Sequence, residues 1–325
     1  MMNRRAFVAG LGAVLAAPLG AEAQQAPRIY GIGAILQGGP YYATIDGLRD
    51  GLRELGLEEG KQFILHVRDT KGDLKAVEEA ARSLEEQKID LIYTVGGSVT
   101  SAAKRTTKSV PIVFYAGADP VALGLVTSFS KPGGRLTGIH GQFSDLTAKR
   151  LELLKEMIPR LRRVVTFYSP DNAGARRSVT IALDAARQLK VELVERPVAS
   201  VEELRAGLRA LQPGEVDAFF FVSDAMVNSQ QELIIETARA KRIAVMTAFE
   251  GIVVDGVLAS YGESYYILGR LSAKLVKRVL LGAKPGNLPV EQLDKLHLVI
   301  NLKTAKALGL TIPASLLLRA DQVIE

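Results

Sequence analysis

Apolar residues recur along this chain with two periods, one of two residues and one near 3.6. From residue 28 onward, short apolar runs alternate with stretches whose apolar positions repeat at helical spacing. The runs at 28–36, 63–69, 91–95 and 111–115 read as strands. Residues 42–55, 74–87 and a stretch from about 99 read as the helices between them, and 123–129 as a further helix. A turn at Pro132-Gly133-Gly134 leads into a last short strand at 136–139. The pattern then restarts. A helix at 145–157, with Ser144 as its N-cap, precedes strands at 163–168, 191–196, 218–223 and 244–247. Helices at 174–188, 201–211 and 229–240 separate those strands. A repeated β-α unit predicts a parallel sheet with helices on both faces. Two copies of it predict an α/β protein of two doubly wound, Rossmann-like lobes.

The stretch 245–269 joins the two copies. Residues 253–261 form a second short strand, Asp255-Gly256 is a tight-turn signal, and 266–281 has helical spacing. The expected division is a first lobe at 28–139, completed by about 262–283, and a second lobe at 140–250. The tail, 284–325, adds a strand at 296–301 and a helix at 302–308, which the pattern assigns to neither lobe. The chain then crosses between lobes near 138–144 and again through 248–265, with glycines at both places. Such a pair of lobes encloses a cleft that closes about hinges, expected near 138–142 and 248–251.

The N-terminus carries a different signal. Asn3-Arg4-Arg5 precedes a short apolar run at 6–19, and Ala21-Glu22-Ala23 fits the small-residue cleavage rule. Residues 1–23 read as a signal peptide, through either the twin-arginine or the general secretory route. The run is shorter than the ~20 residues of a membrane-spanning helix. The protein is therefore expected in the periplasm. It contains no cysteine, which excludes disulfides, thiolate chemistry and a lipid anchor after the apolar run. The net charge is +6, but basic and acidic residues are interspersed and no basic-aromatic stripe occurs, so nucleic acid is not an expected partner. The chain is expected to be monomeric.

Open α/β sheets place ligands at the ends of their strands. Gln37 follows the first strand, Ser98 and Thr100 open the helix after Tyr93-Thr94-Val95-Gly96-Gly97, and Tyr115 ends the next strand. Free N–H groups at that helix start suit a carboxylate. Ser98 can equally cap its own helix, and Asp119 reads as a turn residue. Gln142 lies at the first crossing. In the second copy Tyr168, Asn172, Asp224, Thr247 and Phe249 follow or end strands, and Tyr261 ends the return strand. Asp224 suits a ligand ammonium, Asn172 offers both donor and acceptor, and both also fit helix capping. Tyr41, Tyr42, Tyr115, Tyr168, Phe249 and Tyr261 supply rings for stacking or for an apolar wall.

Catalytic patterns are missing. Gly31-Ile32-Gly33 lacks the third glycine of the dinucleotide fingerprint, and Gly96-Gly97-Ser98-Val99-Thr100 lacks the last glycine of the nucleophile elbow. The three histidines, His66, His140 and His297, have no spaced partners for a metal or a triad. No catalytic residue, metal or cofactor is assigned. The alternative of an exported α/β enzyme therefore has no motif behind it. A repressor of the same two-lobe design needs a DNA-binding N-terminus where this chain has a signal sequence.

The tail PGNLPVEQLDKLHLVINLKTAKALGLTIPASLLLRADQVIE resembles the C-terminal signature of ABC-transporter solute-binding proteins of the type that includes tryptophan- and tyrosine-binding members. Asp119-Pro120-Val121 with Gly124, Lys131-Pro132-Gly133-Gly134, Leu136-Thr137-Gly138 and Tyr261-Gly262 are similar to that family's mid-chain and return-strand motifs. The resemblance implies a type I periplasmic binding protein. Such a protein captures a small solute, an aromatic or other amino acid among them, and delivers it to an ABC permease in the membrane. N-terminal sequencing of the exported protein should begin at Gln24; retention of Met1 or Met2 would refute the signal peptide.

Overall fold

The computed structural model describes residues 28–249, 256–293 and 295–325. The expected signal peptide, and residues 250–255 around the expected return, lie outside them. The first half supplies strands β1 (Tyr30–Leu36), β2 (Phe63–Asp69), β3 (Leu91–Val95), β4 (Ile112–Ala116) and β5 (Leu136–His140). Helices α1 (Tyr42–Glu54), α2 (Leu74–Glu86) and α3 (Gly97–Thr106) connect the first four. The second half supplies β6 (Arg163–Tyr168), β7 (Glu192–Pro197), β8 (Ala218–Phe220), β9 (Ala244–Phe249) and β10 (Ala259–Glu263). Its helices are α4 (Thr147–Met157), α5 (Ala173–Leu189), α6 (Val201–Ala210), α7 (Ala225–Ser229) and α8 (Gln231–Ala240). Then come α9 (Tyr265–Leu280), β11 (Glu291–Gln292), β12 (His297–Asn301), α10 (Leu302–Leu308) and β13 (Gln322–Ile324).

Two sheets result. The first runs β11-β5-β4-β3-β1-β2, and all its pairings are parallel. The second runs β13-β12-β10-β9-β8-β6-β7, with only β10 and β12 antiparallel. Alternation explains how one strand serves both faces. In β1, Ile32, Ala34 and Leu36 join the core on the α1–α9 side, while Ile35 faces the α2–α3 side. Gly33 also lies on the α2 side, where an added Cβ would come within 2.6 Å of Leu84. The larger core continues from the first lobe into the second through Tyr41, Tyr115, Phe143, Met226, Phe249 and Tyr265.

The crossings differ from the sequence expectation. The strand expected to carry the chain back pairs in parallel with β9 and belongs to the second sheet. The return therefore falls at Ser264, between β10 and α9, rather than near 248–251. The tail resolves the strand left unassigned: β12 extends the second sheet, while β11 edges the first. The chain thus passes between lobes three times, after β5, after β10 and after β11.

Two local readings also change. Residues 123–129 form turns rather than a helix. There the Pro120 carbonyl accepts from the Leu125 N–H at 2.8 Å, and Gly124 takes φ 65°, which ends any helical run. Ser144 does not cap α4, whose N-cap is Leu146. The Ser144 hydroxyl instead accepts from Ser178 at 2.9 Å, tying α5 to the first crossing.

Helices α1 and α9 are the most intimate pair, because glycines let their backbones touch. A Cβ on Gly47 would lie 1.9 Å from the Tyr266 carbonyl oxygen, and one on Gly269 would lie 2.1 Å from that of Thr44. Neither clash is relieved by a side-chain rotation. Gly47→Ala should therefore lower the unfolding free energy by roughly 1–3 kcal/mol, despite alanine's better helix propensity. A urea midpoint equal to the parent's would refute this.

Candidate functional site

The lobes meet where three helix starts converge. Helix α3 begins after β3 with Gly96 at its N-cap, at φ 110°, and no side chain caps it. Its first N–H groups are unclaimed within the helix and carry the positive end of the dipole. Across the cleft, α5 is capped by Asn172, which accepts from the N–H of Gly174 at 3.0 Å and Ala175 at 3.3 Å. Helix α7 is capped by Asp224, which accepts from the Val227 N–H at 3.0 Å. The other Asp224 oxygen accepts from the Ser169 N–H at 2.8 Å and the Asn172 amide at 3.4 Å. Asp224 is 1% exposed, and burial pushes its pKa up against the pull of those N–H donors. The lobes come within ordinary packing distance here. A Cβ on Gly96 would sit 3.4 Å from the Ala225 Cβ, and one on Gly174 would sit 3.5 Å from the Ala118 Cβ.

Between these helix starts lies a small cavity of about 20 Å³, lined from one lobe by Tyr41, Ser98, Tyr115 and Tyr265 and from the other by Asn172 and Asp224. Aromatic rings form its floor. Tyr265 lies 5.1 Å from Tyr41, 5.7 Å edge-on from Tyr115 and 4.5 Å, stacked, from Phe249. Phe143 packs 5.2 Å from Phe249. Burial pushes Tyr41 up to about 12, even though its hydroxyl accepts from the Asn228 amide at 3.4 Å. Tyr115 and Tyr265 are raised well above the usual phenol range for the same reason. The floor is therefore neutral at physiological pH. It offers both apolar faces and hydroxyl groups.

Beneath the floor sit two buried ionisable groups. Arg150 on α4 is fully buried, stacks 4.4 Å over the Phe143 ring, and donates from Nη2 to the Phe143 carbonyl at 2.6 Å and the Thr147 hydroxyl at 3.3 Å. Its Nε and Nη1 have no protein partner. Burial lowers its pKa to about 9, against the opposing charge of Glu263. Glu263 closes β10 and accepts from the Gln142 N–H at 2.7 Å.

The candidates from the sequence fall into three groups. Ser98, Tyr115, Asn172 and Asp224 line the cavity. Gln37 sits at its mouth, in a polar groove of about 820 Å³ shared with Ser98, Asn172 and Asp224, and neither end of its buried amide is partnered. Phe249 stands behind Tyr265. The others are elsewhere. Thr100 turns inward, donating to the Gly96 carbonyl at 2.8 Å and meeting Thr94 at 2.9 Å. Tyr168 bonds Glu195 at 3.0 Å. Thr247 is buried in β9, and Tyr261 packs on the far core of the second lobe. Gln142 lies at the first crossing. Besides its bond to Glu263, its amide donates to the Leu293 carbonyl at 3.3 Å, so it touches all three crossings.

Tyr265, Phe143, Asn228, Arg150 and Glu263 escaped the sequence reading. One of them had a signal. Arg150 falls on the buried stripe of α4 with Thr147, Leu151, Leu154 and Met157, so periodicity alone places a charge in the core.

The two lobes and their shared cleft are those of a solute-binding protein. A family model for ABC transporter substrate binding proteins matches residues 30–324, and the chain belongs to that family. A tyrosine-binding protein of Clostridioides difficile is 29% identical over 81% of this chain and 76% of its own length. A Streptococcus pneumonia ABC domain solved in complex with L-Trp is 25% identical, covers 91% of this chain and 99% of its own, and superposes with a TM-score of 0.81. A ligand-free, open substrate binding protein with adhesive properties from Clostridium difficile is 26% identical, with 92% and 99% covered, and gives 0.61.

Burial pushes the Glu263 carboxyl from 4.5 up to about 7, more than the Gln142 N–H and Arg150 lower it. The folded protein then holds this proton more tightly than the unfolded chain. The associated stability is complete below 4.5 and is lost as pH rises through about 7. Unfolding free energy should thus fall between pH ~5 and ~8, by about 3 kcal/mol at most, and Glu263→Gln should flatten that slope. Parallel slopes for the two proteins in urea titrations would refute the assignment.

Proposed function

We propose that this chain captures an aromatic amino acid in the cleft and delivers it to an ABC permease. The observation that carries the reading is a pairing across the cleft. The uncapped start of α3 belongs to one lobe, the buried Asp224 carboxylate to the other, and tyrosine rings lie below both. The helix start suits the ligand carboxylate. Asp224 suits the ammonium, and the rings suit an aromatic side chain. The tyrosine-binding relative and the relative solved with L-Trp support this class of ligand.

The present lobe arrangement is the closed one, in keeping with its better match to the liganded relative than to the open one. The cavity of about 20 Å³ holds little more than one water, so the ligand enters when the lobes part and the rings re-seat around it. Opening is a rotation about the three crossings. The protein works as an exported monomer, freed in the periplasm by cleavage after Ala23. Among the described residues no helix is long and apolar enough to cross a membrane. Its role is delivery, with no catalytic step.

The test is calorimetric titration of protein stripped of ligand by unfolding and refolding, against a panel of amino acids. Mass spectrometry of the molecules released on first unfolding complements it. An aromatic amino acid should bind, and Asp224→Asn should weaken it ten- to a hundredfold, as expected for one charge-assisted hydrogen bond. Asp224→Asn should also lower the melting temperature, because an amide nitrogen in place of the second Asp224 oxygen cannot accept from the Ser169 N–H. A released ligand that is neutral, or that has two carboxylates and no ammonium, would overturn the amino-acid reading.

A further inference from the structure

The strand ends of the first lobe lie in the order β3, β1, β2 along the cleft. Ile35 pairs with Thr94 and Leu36 with Asp69, so Gln37 leaves the sheet between the start of α3 and the loop after β2. The polar groove of about 820 Å³ follows the same line. It begins at Ser98, Asn172 and Asp224, which it shares with the small cavity, and runs past Gln37 to Asp69 and Lys71. A free amino acid with its carboxylate on α3 and its ammonium at Asp224 ends where this groove begins.

Gln37 is the group that such a ligand leaves unanswered. It is 1% exposed, and among the described residues neither its Oε1 nor its Nε2 has a hydrogen-bond partner. A dry carboxamide without partners is costly, because a donor and an acceptor are desolvated together. Two residues on, Gly39 packs against the Ser229 backbone of the other lobe, so this corner is covered when the lobes are together. A group that dries on closure needs its partner from whatever the closure traps. That partner must offer a donor and an acceptor side by side, because a carboxamide presents both. One residue of an extended peptide has this pattern, since its own N–H and C=O point to the same side of the chain. The carboxylate of a free amino acid only accepts and its ammonium only donates, and the α3 start and Asp224 already hold them.

We propose that the groove is a second subsite, and that the cleft takes short peptides beginning with an aromatic residue as well as the free amino acid. The first position rests on the amino-acid reading of the cleft, with the ring on the tyrosine floor and the amino group at Asp224. The first carbonyl oxygen replaces the carboxylate at the start of α3, whose free N–H groups donate to either. The second residue lies extended along Gln37. Its N–H donates to Oε1, and its carbonyl or terminal carboxylate accepts from Nε2. The groove is of the size that holds small ligands. Its walls carry both signs, Lys71 and Lys75 from the first lobe and Asp171 and Glu202 from the second, so charge does not select the second side chain.

The experiment is calorimetric titration of the mature protein, stripped of ligand, with L-tyrosine and L-tryptophan. Each is supplied free, as the first residue of a dipeptide with L-alanine, and as the second. Aromatic-first dipeptides should bind at least as tightly as the free amino acids. Alanine-first dipeptides should bind at least about tenfold more weakly, because their ring falls in the polar groove and not on the tyrosine floor. Gln37→Leu nearly keeps the volume and removes a buried polar group that has no partner, so the fold should hold. In that variant the affinity for the aromatic-first dipeptide should fall about tenfold relative to that for the free amino acid. Free amino acids that bind tenfold or more tightly than the aromatic-first dipeptides would overturn the subsite and leave the amino-acid cleft standing. Equal binding of the two dipeptide orders, or an unchanged ratio in Gln37→Leu, would do the same. Failure of the amino acids and the dipeptides alike would overturn both.

Discussion

One carboxylate holds the place where the two lobes join. Glu263 ends the last strand before the chain returns to the first lobe, and it accepts the N–H of Gln142 on the first crossing. The Gln142 amide reaches on to Leu293 on the third. Three separate pieces of backbone are thereby fastened through one pair of side chains. The surroundings are tightly drawn: a Cβ on Gly141 would lie 2.5 Å from the Glu263 oxygen and 2.9 Å from the Tyr115 hydroxyl. Glycine at this point is a spatial requirement. The crossings and the floor of the cleft share these atoms, so the groups that join the lobes also lie beneath the candidate site.

Closure itself depends on how little stands between the lobes. Gly39 packs against the backbone of Ser229, with an added Cβ at 2.9 Å, and Gly72 packs against Val201, Met226 and Ser229. These glycines sit in loops at the cleft mouth and at positive φ. The same loops carry Gln37 and border the polar groove. A bare backbone on one side and helix starts on the other let two rigid domains meet face to face with few side chains to move aside. That arrangement suits a part that opens and shuts repeatedly.

The architecture was legible because each lobe repeats one unit, and each strand and helix of that unit advertises its period. Strands buried on both faces, such as LIYTV and IVFYA, read as uninterrupted apolar runs. The site was only half legible. Ser98, Asn172 and Asp224, which line the cavity, stood out because they follow strands, where helix starts gather. Thr100 was misplaced by two residues of helical rotation, which turned it toward Thr94 and away from the cleft. Tyr261 lies one pleat away from Ser260 and so faces the opposite core. Arg150 and Glu263 were hidden for a different reason. Arg150 has an inward helical position but no visible partner in sequence, and Glu263 sits in a Gly-punctuated polar turn, so only the return of a distant strand shows that the fold buries them together.

Neither lobe is a continuous piece of chain. The first sheet takes its edge from Glu291–Gln292, and the second takes two strands from the final stretch, His297–Asn301 and Gln322–Ile324. On the ribosome, each domain must therefore wait for almost the entire polypeptide before its sheet is complete. Long-range closure of this kind slows folding, because distant segments have to be found before their contacts reward the search.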